Sequence, residues 1–501
     1  MTLELILQNL PWEGDFNYEA ECILRLFFPG EKIAVLHQPQ TPQGDWVSAV
    51  LTGQGEGIAI ELSVQIGGQT QKARDLVLPS EIVVGGMEWE AERRLCLLLF
   101  EALCQLTGTR PPWGILTGVR PVNLCRKLQR ELGSIAAVRE SLIRDYRVLP
   151  QKADLALSTL QAQESILATN TLESYSLYVG IPFCPTRCLY CSFVSHAIDR
   201  AGKLVPEYVE LLCRELEEIA AIASRLGLHL RTVYIGGGTP TTLEPEQLAK
   251  LLGQMEKSFP LSQASEYTVE AGRPDSITKE KLQVLKDFGV SRISINPQAL
   301  DDKVLQAIGR AHTAQETLDA MALAREMGFD NVNMDLIVGL PEQTSESFDR
   351  SLEQVMALGA ENITIHTLTV KRSSSLRANL GMDAYDRGSY PLDALLAQSQ
   401  EKLRQAGYRP YYLYRQQGSR QNQENTGFCL PGREGLYNIF SMEDAHTILA
   451  AGAGAVTKLC APPDKVRRVF NYKYPYEYIS GFEEILNRKR QITEFYKEGS
   501  P

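Results

Sequence analysis

Three cysteines stand within eight residues in the stretch LYVGIPFCPTRCLYCSF, which runs from Leu177 to Phe193. Cys184, Cys188 and Cys191 are spaced C-x3-C-x2-C. An odd number of thiols does not make a disulfide framework, and a structural zinc site takes four ligands. A cubane iron–sulfur cluster has four irons, so three thiolates leave one iron open. A small molecule with an amine and a carboxylate can chelate that iron. S-adenosylmethionine offers both, and its radical chemistry on an iron–sulfur cluster is an established cofactor class. The spacing points to a [4Fe-4S] cluster with three Cys ligands and an open iron, working with S-adenosyl-L-methionine. Two other chemistries fit the same stretch. One is a zinc ion completed by His196, five residues past Cys191; the other is a redox pair of Cys188 and Cys191, which leaves Cys184 unused.

The elements that must position this loop are legible around it. From Ser176 onward, short β-rich runs (SLYVGIP, TVYIGGG, EYTVEAG, SRISIN, NVNMDLIVGLP, NITIHTL) alternate with helical periods over 207–226, 245–258, 278–289, 314–328 and 345–358. Strand–helix–strand repetition implies parallel strands with crossover helices. Six strands and five helices predict an α/β fold, and suit an open or closed α/β barrel as well as a doubly wound sheet. In such barrels the C-terminal strand ends carry the site. Polar residues gather there: the glycines of GGGTPT, Glu270, Gln298, Asp335 and His366. The cysteine loop leaves the first strand directly, stiffened by Pro182 and Pro185, and Tyr190 beside Cys191 is placed to pack on an adenine.

Two segments flank the barrel, giving expected divisions of 1–170, 171–370 and 371–501. The first is an α+β domain: runs such as KIAVLHQ, WVSAVLTG and GIAIELSVQIGG predict an antiparallel sheet, followed by mostly helix from Trp89. It contains RPPWGILTGVRP, where Trp113, Arg110 and Arg120 make either a rigid turn or a ligand surface. The last segment predicts a helix over 393–406, a tyrosine-rich strand GYRPYYLYR, an irregular loop from Gln416 to Asn438, and a small-residue turn in ILAAGAGAVTKL. It is expected to pack on the barrel as an extension.

Composition excludes several classes. With 51 basic and 61 acidic residues the net charge is −10, against general affinity for nucleic acid. Basic clusters such as KVRR and NRKR read as solvated faces. No apolar run matches a bilayer span and no signal peptide is apparent, so a cytoplasmic, reducing location is expected, in which ten cysteines do not imply disulfides.

The order GIPFC…C.YCSF, YIGGGTPT, MDLIVGLPEQT and GAGA resembles the radical S-adenosylmethionine superfamily, and within it the oxygen-independent coproporphyrinogen III oxidase (dehydrogenase) group. The segment with PWGILTGVRP resembles its HemZ-type branch. The resemblance implies a partial (β/α)6 TIM-like radical SAM barrel in which Cys184, Cys188 and Cys191 ligate the cluster. It places Tyr190, Gly236, Gly237, Gly238, Thr239, Glu270, Gln298, Arg310 and Asp335 on S-adenosylmethionine, and Tyr178 near cluster and substrate as the catalytic candidate. The implied activity is oxidative decarboxylation of two propionates of coproporphyrinogen III to the vinyl groups of protoporphyrinogen IX. In it an external electron cleaves the sulfonium, and the resulting 5′-deoxyadenosyl radical takes a hydrogen from the propionate β-carbon. The implied partners are a tetrapyrrole substrate and an electron donor such as flavodoxin or ferredoxin, acting on a monomer. Arg372, Arg415 and Arg420 are candidates for the substrate carboxylates.

The chain departs from the group at marked positions. The dehydrogenases have a fourth cysteine where Phe193 stands and a histidine where Gly180 stands. Haem-chaperone relatives share the phenylalanine, but their His-Asn…Tyr-Trp motif has no histidine counterpart in QNQENTGFC (Gln421 to Cys429). Two alternatives follow: a haem-delivering protein, with His366, His446 or Cys429 as axial ligand, or a radical enzyme acting on another substrate.

Overall fold

A computed structural model of the chain describes residues 2–8, 17–36, 44–82, 85–191, 195–370, 374, 376, 391–416, 422–461 and 465–498. They form two compact units. One is built on residues up to Leu160 together with Tyr414–Glu424, the other on the described residues from Gln161 onward apart from that segment. Strands from the end of the chain hydrogen-bond into the barrel sheet.

The first unit contains β1 (Thr2–Gln8), β2 (Lys32–Leu36), β3 (Trp46–Gln54), β4 (Gly57–Ile66) and β5 (Gln69–Val77), in the order β2-β1-β3-β4-β5. The sheet is mixed, not antiparallel as expected: β1 runs parallel to both β2 and β3, and only β3–β4 and β4–β5 are antiparallel. The helix Asn17–Phe27 supplies the β1–β2 crossover that a parallel pair requires. Four helices follow, Met87–Thr107, Pro121–Leu132, Ile135–Asp145 and Pro150–Leu167. The RPPWGILTGVRP stretch is a rigid turn within this unit. Trp113 is buried and donates its indole N–H to Glu424 at 2.8 Å, and Lys152 binds the same carboxylate at 2.7 Å.

The second unit carries the barrel. Its six parallel strands are β6 (Ser174–Ile181), β9 (His229–Gly237), β10 (Glu266–Gly272), β11 (Arg292–Gln298), β12 (Val332–Val338) and β13 (Asn362–Thr367), adjacent in that order. Between β6 and β9 lie two short strands, β7 (Phe183–Cys184) and β8 (His196–Ala197), paired with each other. The crossover helices Val205–Arg225, Pro245–Ser258, Lys279–Asp287, Ala314–Glu326 and Ser345–Ala357 match the expected periods. Their apolar stripes cover one face of the sheet, so alternate strand residues such as Val233, Val269, Ile293 and Met334 are fully buried.

The C-terminal part does not merely lean on the barrel; it extends its sheet at both edges. Beyond β13 lie β15 (Glu424–Cys429), antiparallel to it, and β14 (Arg409–Arg415). Beyond β6 lie β16 (Thr447–Ala451), parallel to it, then β17 (Val456–Ala461) and β18 (Lys465–Phe470). The loop expected from Gln416 to Asn438 thus contains β15 and the start of the helix Leu436–Met442. The GAGA stretch joins β16 to β17. No helix among the described residues is long and apolar enough to cross a membrane.

Candidate active site in the barrel lumen

Each of the six parallel strands is buried along its middle except at one position that faces the barrel interior. Those positions are Tyr178, Tyr234, Glu270, Asn296, Asp335 and His366. Period-two alternation puts every second residue of a strand on the lumen side. The hydrogen bonds confirm this parity. Tyr234 donates to Glu270 Oε1 at 2.5 Å, and Asn333 Nδ2 bridges Ser294 (2.7 Å) and Asp335 Oδ1 (2.8 Å). His366 Nε2 lies 4.0 Å from Asp335 Oδ2. Tyr437, from the helix Leu436–Met442, stacks on Tyr234 at 4.4 Å and on Tyr178 at 6.2 Å. The lumen is therefore lined by tyrosines on one side and by carboxylates, an amide and an imidazole on the other.

The cysteine loop leaves this ring at β6. Cys184 and Cys188 are buried and Cys191 is half-buried, and none of the three is in a disulfide. Burial pushes the Cys184 thiol up, while the Thr239 hydroxyl, 3.5 Å away, and Arg273 act the other way. Arg273 grips the loop between the first two cysteines, donating to Thr186 O (3.1 Å) and Oγ1 (2.5 Å), and is itself clamped by Asp275 at 2.6 Å. Arg310 acts electrostatically on Cys188. Among the described residues, no three His, Cys, Asp or Glu side chains converge closely enough to hold a metal ion. The donor set itself fits a cluster, with three thiols on one loop and two cations beside them. His196, the possible fourth zinc ligand, instead lies edge-on to Tyr474 and Tyr476. Phe193 lies outside the described residues.

The glycine turn closes the other side. Gly238 N–H donates to Ile181 O and Thr239 N–H to Phe183 O, both at 2.7 Å. These two amides fasten the cysteine loop to β9 and are not free for a cofactor. What the glycines leave is close approach. A Cβ on Gly236 would stand 2.9 Å from the Glu270 carboxylate, and Gly237 has φ +106°, a conformation L side chains rarely adopt. Glu270 thus lies against bare backbone, a cradle suited to the ammonium of an amino acid. Burial pushes its carboxyl up to about 7 despite the Tyr234 hydrogen bond, and Asp335 adds to the effect.

Tyr190, Gln298, Arg310 and Asp335 form one chain of contacts. Tyr190 accepts from Arg310 Nη2 at 2.9 Å and donates to Gln298 Oε1 at 3.2 Å; Gln298 Nε2 reaches Asp335 O at 3.5 Å. Gln298 adopts φ 70° where the β11–β12 register shifts, and this turns its amide towards the loop. Arg310 also donates to Asn296 O at 2.9 Å, while its Nε is buried without a partner. The sequence-derived residues are thereby brought to one end of the barrel. Tyr234, Asn296, Arg273 and Tyr437 were missed. The first two were signalled by period two counted back from Gly236 and Gln298; Tyr437 lay in a stretch expected to be irregular.

Other candidates are used elsewhere. Arg415 is buried in the first unit, with its guanidinium bound to Leu116 O and Asn422 O, so it is no carboxylate anchor. Arg372 and Arg420 lie outside the described residues. His446 is buried with both ring nitrogens engaged, by Ser176 at 2.7 Å and Asn170 at 3.0 Å. Cys429 is buried, and burial raises its thiol strongly.

Residues 178–355 match the model of the Radical SAM superfamily. The chain is 38% identical over 392 residues to the oxygen-independent coproporphyrinogen-III oxidase-like protein HemZ of Bacillus subtilis (strain 168), covering 77% of this chain and 78% of that one. It is 30% identical over 331 residues to the heme chaperone HemW of Lactococcus lactis subsp. lactis (strain IL1403), covering 64% and 79%. Among solved structures it is similar in fold to the coproporphyrinogen III oxidase HemN from Escherichia coli, described as a radical SAM enzyme, with TM-score 0.51, 24% identity, and 65% and 72% coverage. The chain belongs to the radical SAM superfamily, among the HemN- and HemZ-like proteins. The cofactors of that superfamily are S-adenosylmethionine and a [4Fe-4S] cluster.

Proposed function

We propose that the protein is an oxygen-independent coproporphyrinogen III dehydrogenase, converting two propionates of the substrate to vinyl groups. The observation that carries this reading is the accessible ring of one side chain per barrel strand, opening beside the cysteine loop. Cys184, Cys188 and Cys191 would hold the cluster, and Glu270 over Gly236 and Gly237 would bind the amino group of S-adenosylmethionine. When bound, these groups supply hydrogen-atom abstraction at an unactivated carbon. The chain's own residues then orient and enclose. Arg273 and Thr239 fix the cysteine loop, Arg310 and Tyr190 tie it to β11, and Tyr178, Tyr234 and Tyr437 wall the lumen against water. A small electron carrier such as flavodoxin or ferredoxin would serve as reductant, and an external one-electron acceptor would take the electron released with carbon dioxide as each vinyl group forms.

Similarity to HemW favours a second reading, haem handling. Of its three candidate axial ligands, His446 is buried with both ring nitrogens engaged and Cys429 is buried with its thiol pushed up, which leaves His366. An anaerobic assay with dithionite, S-adenosylmethionine and coproporphyrinogen III decides. 5′-Deoxyadenosine and protoporphyrinogen IX are expected together, with both lost in Cys188→Ala. Deoxyadenosine without protoporphyrinogen retires the substrate. Neither product from a cluster-loaded protein, with stoichiometric haem binding, establishes the second reading.

A further inference from the structure

At the floor of the lumen a buried cation keeps two donors without a hydrogen-bond partner. Arg292 opens β11 and is only 1% exposed, yet its Nε and Nη2 have no hydrogen-bond partner. Directly opposite it in the β10–β11 register stands Thr268, fully buried, whose Oγ1 is also unpartnered. Thr268 is likewise the register partner of Tyr234, so all three share one level of the barrel, and Tyr234 faces the accessible lumen. Leaving a buried guanidinium unpaired is costly, and a sealed structural arginine is ordinarily satisfied by a carboxylate or carbonyls. The nearby carboxylates are otherwise engaged. Glu266 accepts the N–H groups of Leu436 (2.7 Å) and Tyr437 (3.2 Å) at the start of their helix. Asp335 accepts from Asn333, and Glu270 from Tyr234.

We propose that Arg292 and Thr268 form a carboxylate-binding subsite at the lumen floor, which takes a propionate of the substrate. The guanidinium presents two adjacent donors, the fork that matches a carboxylate, and the threonine hydroxyl adds a third. This rests on the tetrapyrrole reading above, and it replaces Arg415 as the anchor. A side chain held there passes the ring of Tyr178, Glu270 and Asp335, which places its methylene carbons at the level where the cofactor cradle lies.

The test is equilibrium binding of coproporphyrin III and of its tetramethyl ester to the anaerobically reconstituted full chain with S-adenosylmethionine present, followed by porphyrin fluorescence. The wild type is expected to prefer the free acid at least tenfold. Arg292→Gln is expected to weaken binding of the acid about tenfold or more and to leave the ester unchanged. Thr268→Val, which keeps shape and loses only the hydroxyl, is expected to weaken the acid two- to fivefold, and it decides the matter should Arg292→Gln not fold. An acid preference undiminished in both variants overturns the subsite and leaves the dehydrogenase reading standing. A wild type that binds neither porphyrin overturns the tetrapyrrole reading, and the subsite with it.

Discussion

The second unit holds two buried polar clusters of opposite character. On the outer face of the sheet, Glu215 and Lys489 are 0% and 1% exposed and 2.8 Å apart. Every group there is satisfied. Glu215 also accepts from Tyr478 (2.6 Å), Asn471 (2.7 Å) and Gly452 N–H (2.8 Å), and Lys489 donates to Ala450 O (2.8 Å) and Asn471 (3.1 Å). In the lumen, Arg292, Thr268 and Arg310 keep unpartnered atoms, and Glu270 sits near 7. The two clusters differ in how far their polar groups are satisfied. A completed network fixes one packing arrangement, whereas an incomplete one is a site awaiting its ligand.

The largest test of this contrast is Lys489→Met. It strands a buried carboxylate and is expected to cost about 3–5 kcal/mol in chemical denaturation. A loss below 1 kcal/mol would remove the structural role assigned to the outer network. Glu270→Gln inverts the pattern: S-adenosylmethionine affinity is expected to fall about 10- to 100-fold, the worth of a charge-assisted hydrogen bond, with the thermal midpoint not lowered. Equilibrium dialysis and a melting curve on the same sample check both halves. Gly236→Ala places a methyl against the same carboxylate and should weaken the cofactor about tenfold by displacing it, while Gly253→Ala, on an outer helix, should not.

The last effect is a pH dependence. The Glu270 carboxyl is raised in the folded state, so the fold holds its proton more tightly than the unfolded chain does. Its contribution is fully present below about pH 4.5 and is lost as pH rises through about 7. Cofactor-free wild type should therefore lose roughly 5 °C more of its midpoint across that window than Glu270→Gln does. Parallel curves for the two proteins would show that Glu270 is not perturbed.

Much of this architecture was legible because the barrel strands obey simple periods. Each reads as an apolar run ending in a polar residue, and Glu270, Asp335 and His366 were found that way. What the sequence hid was supplied by distant segments. β15 reads ENTGFC, a polar strand with all six residues buried, and nothing in its composition separates it from a loop. Tyr437 reaches the lumen only because Glu266, far away in sequence, caps the helix that carries it. The mixed first sheet was missed because β1 precedes the runs that advertise themselves by alternation. The glycine turn was found, but its amides bind the protein's own backbone, a detail that only coordinates reveal.

Strand β6, which launches the cysteine loop, takes one neighbour from β9 and the other from β16, whose residues 447–451 come some 270 positions later in the chain. During synthesis that edge stays open for roughly 15 to 55 s at ordinary ribosomal rates. For all of that time the thiols emerge on a sheet that lacks one side and a lumen that lacks Tyr437. The three cysteines therefore precede in the chain both the strand that completes the sheet edge beside them and the tyrosine that completes the lumen wall.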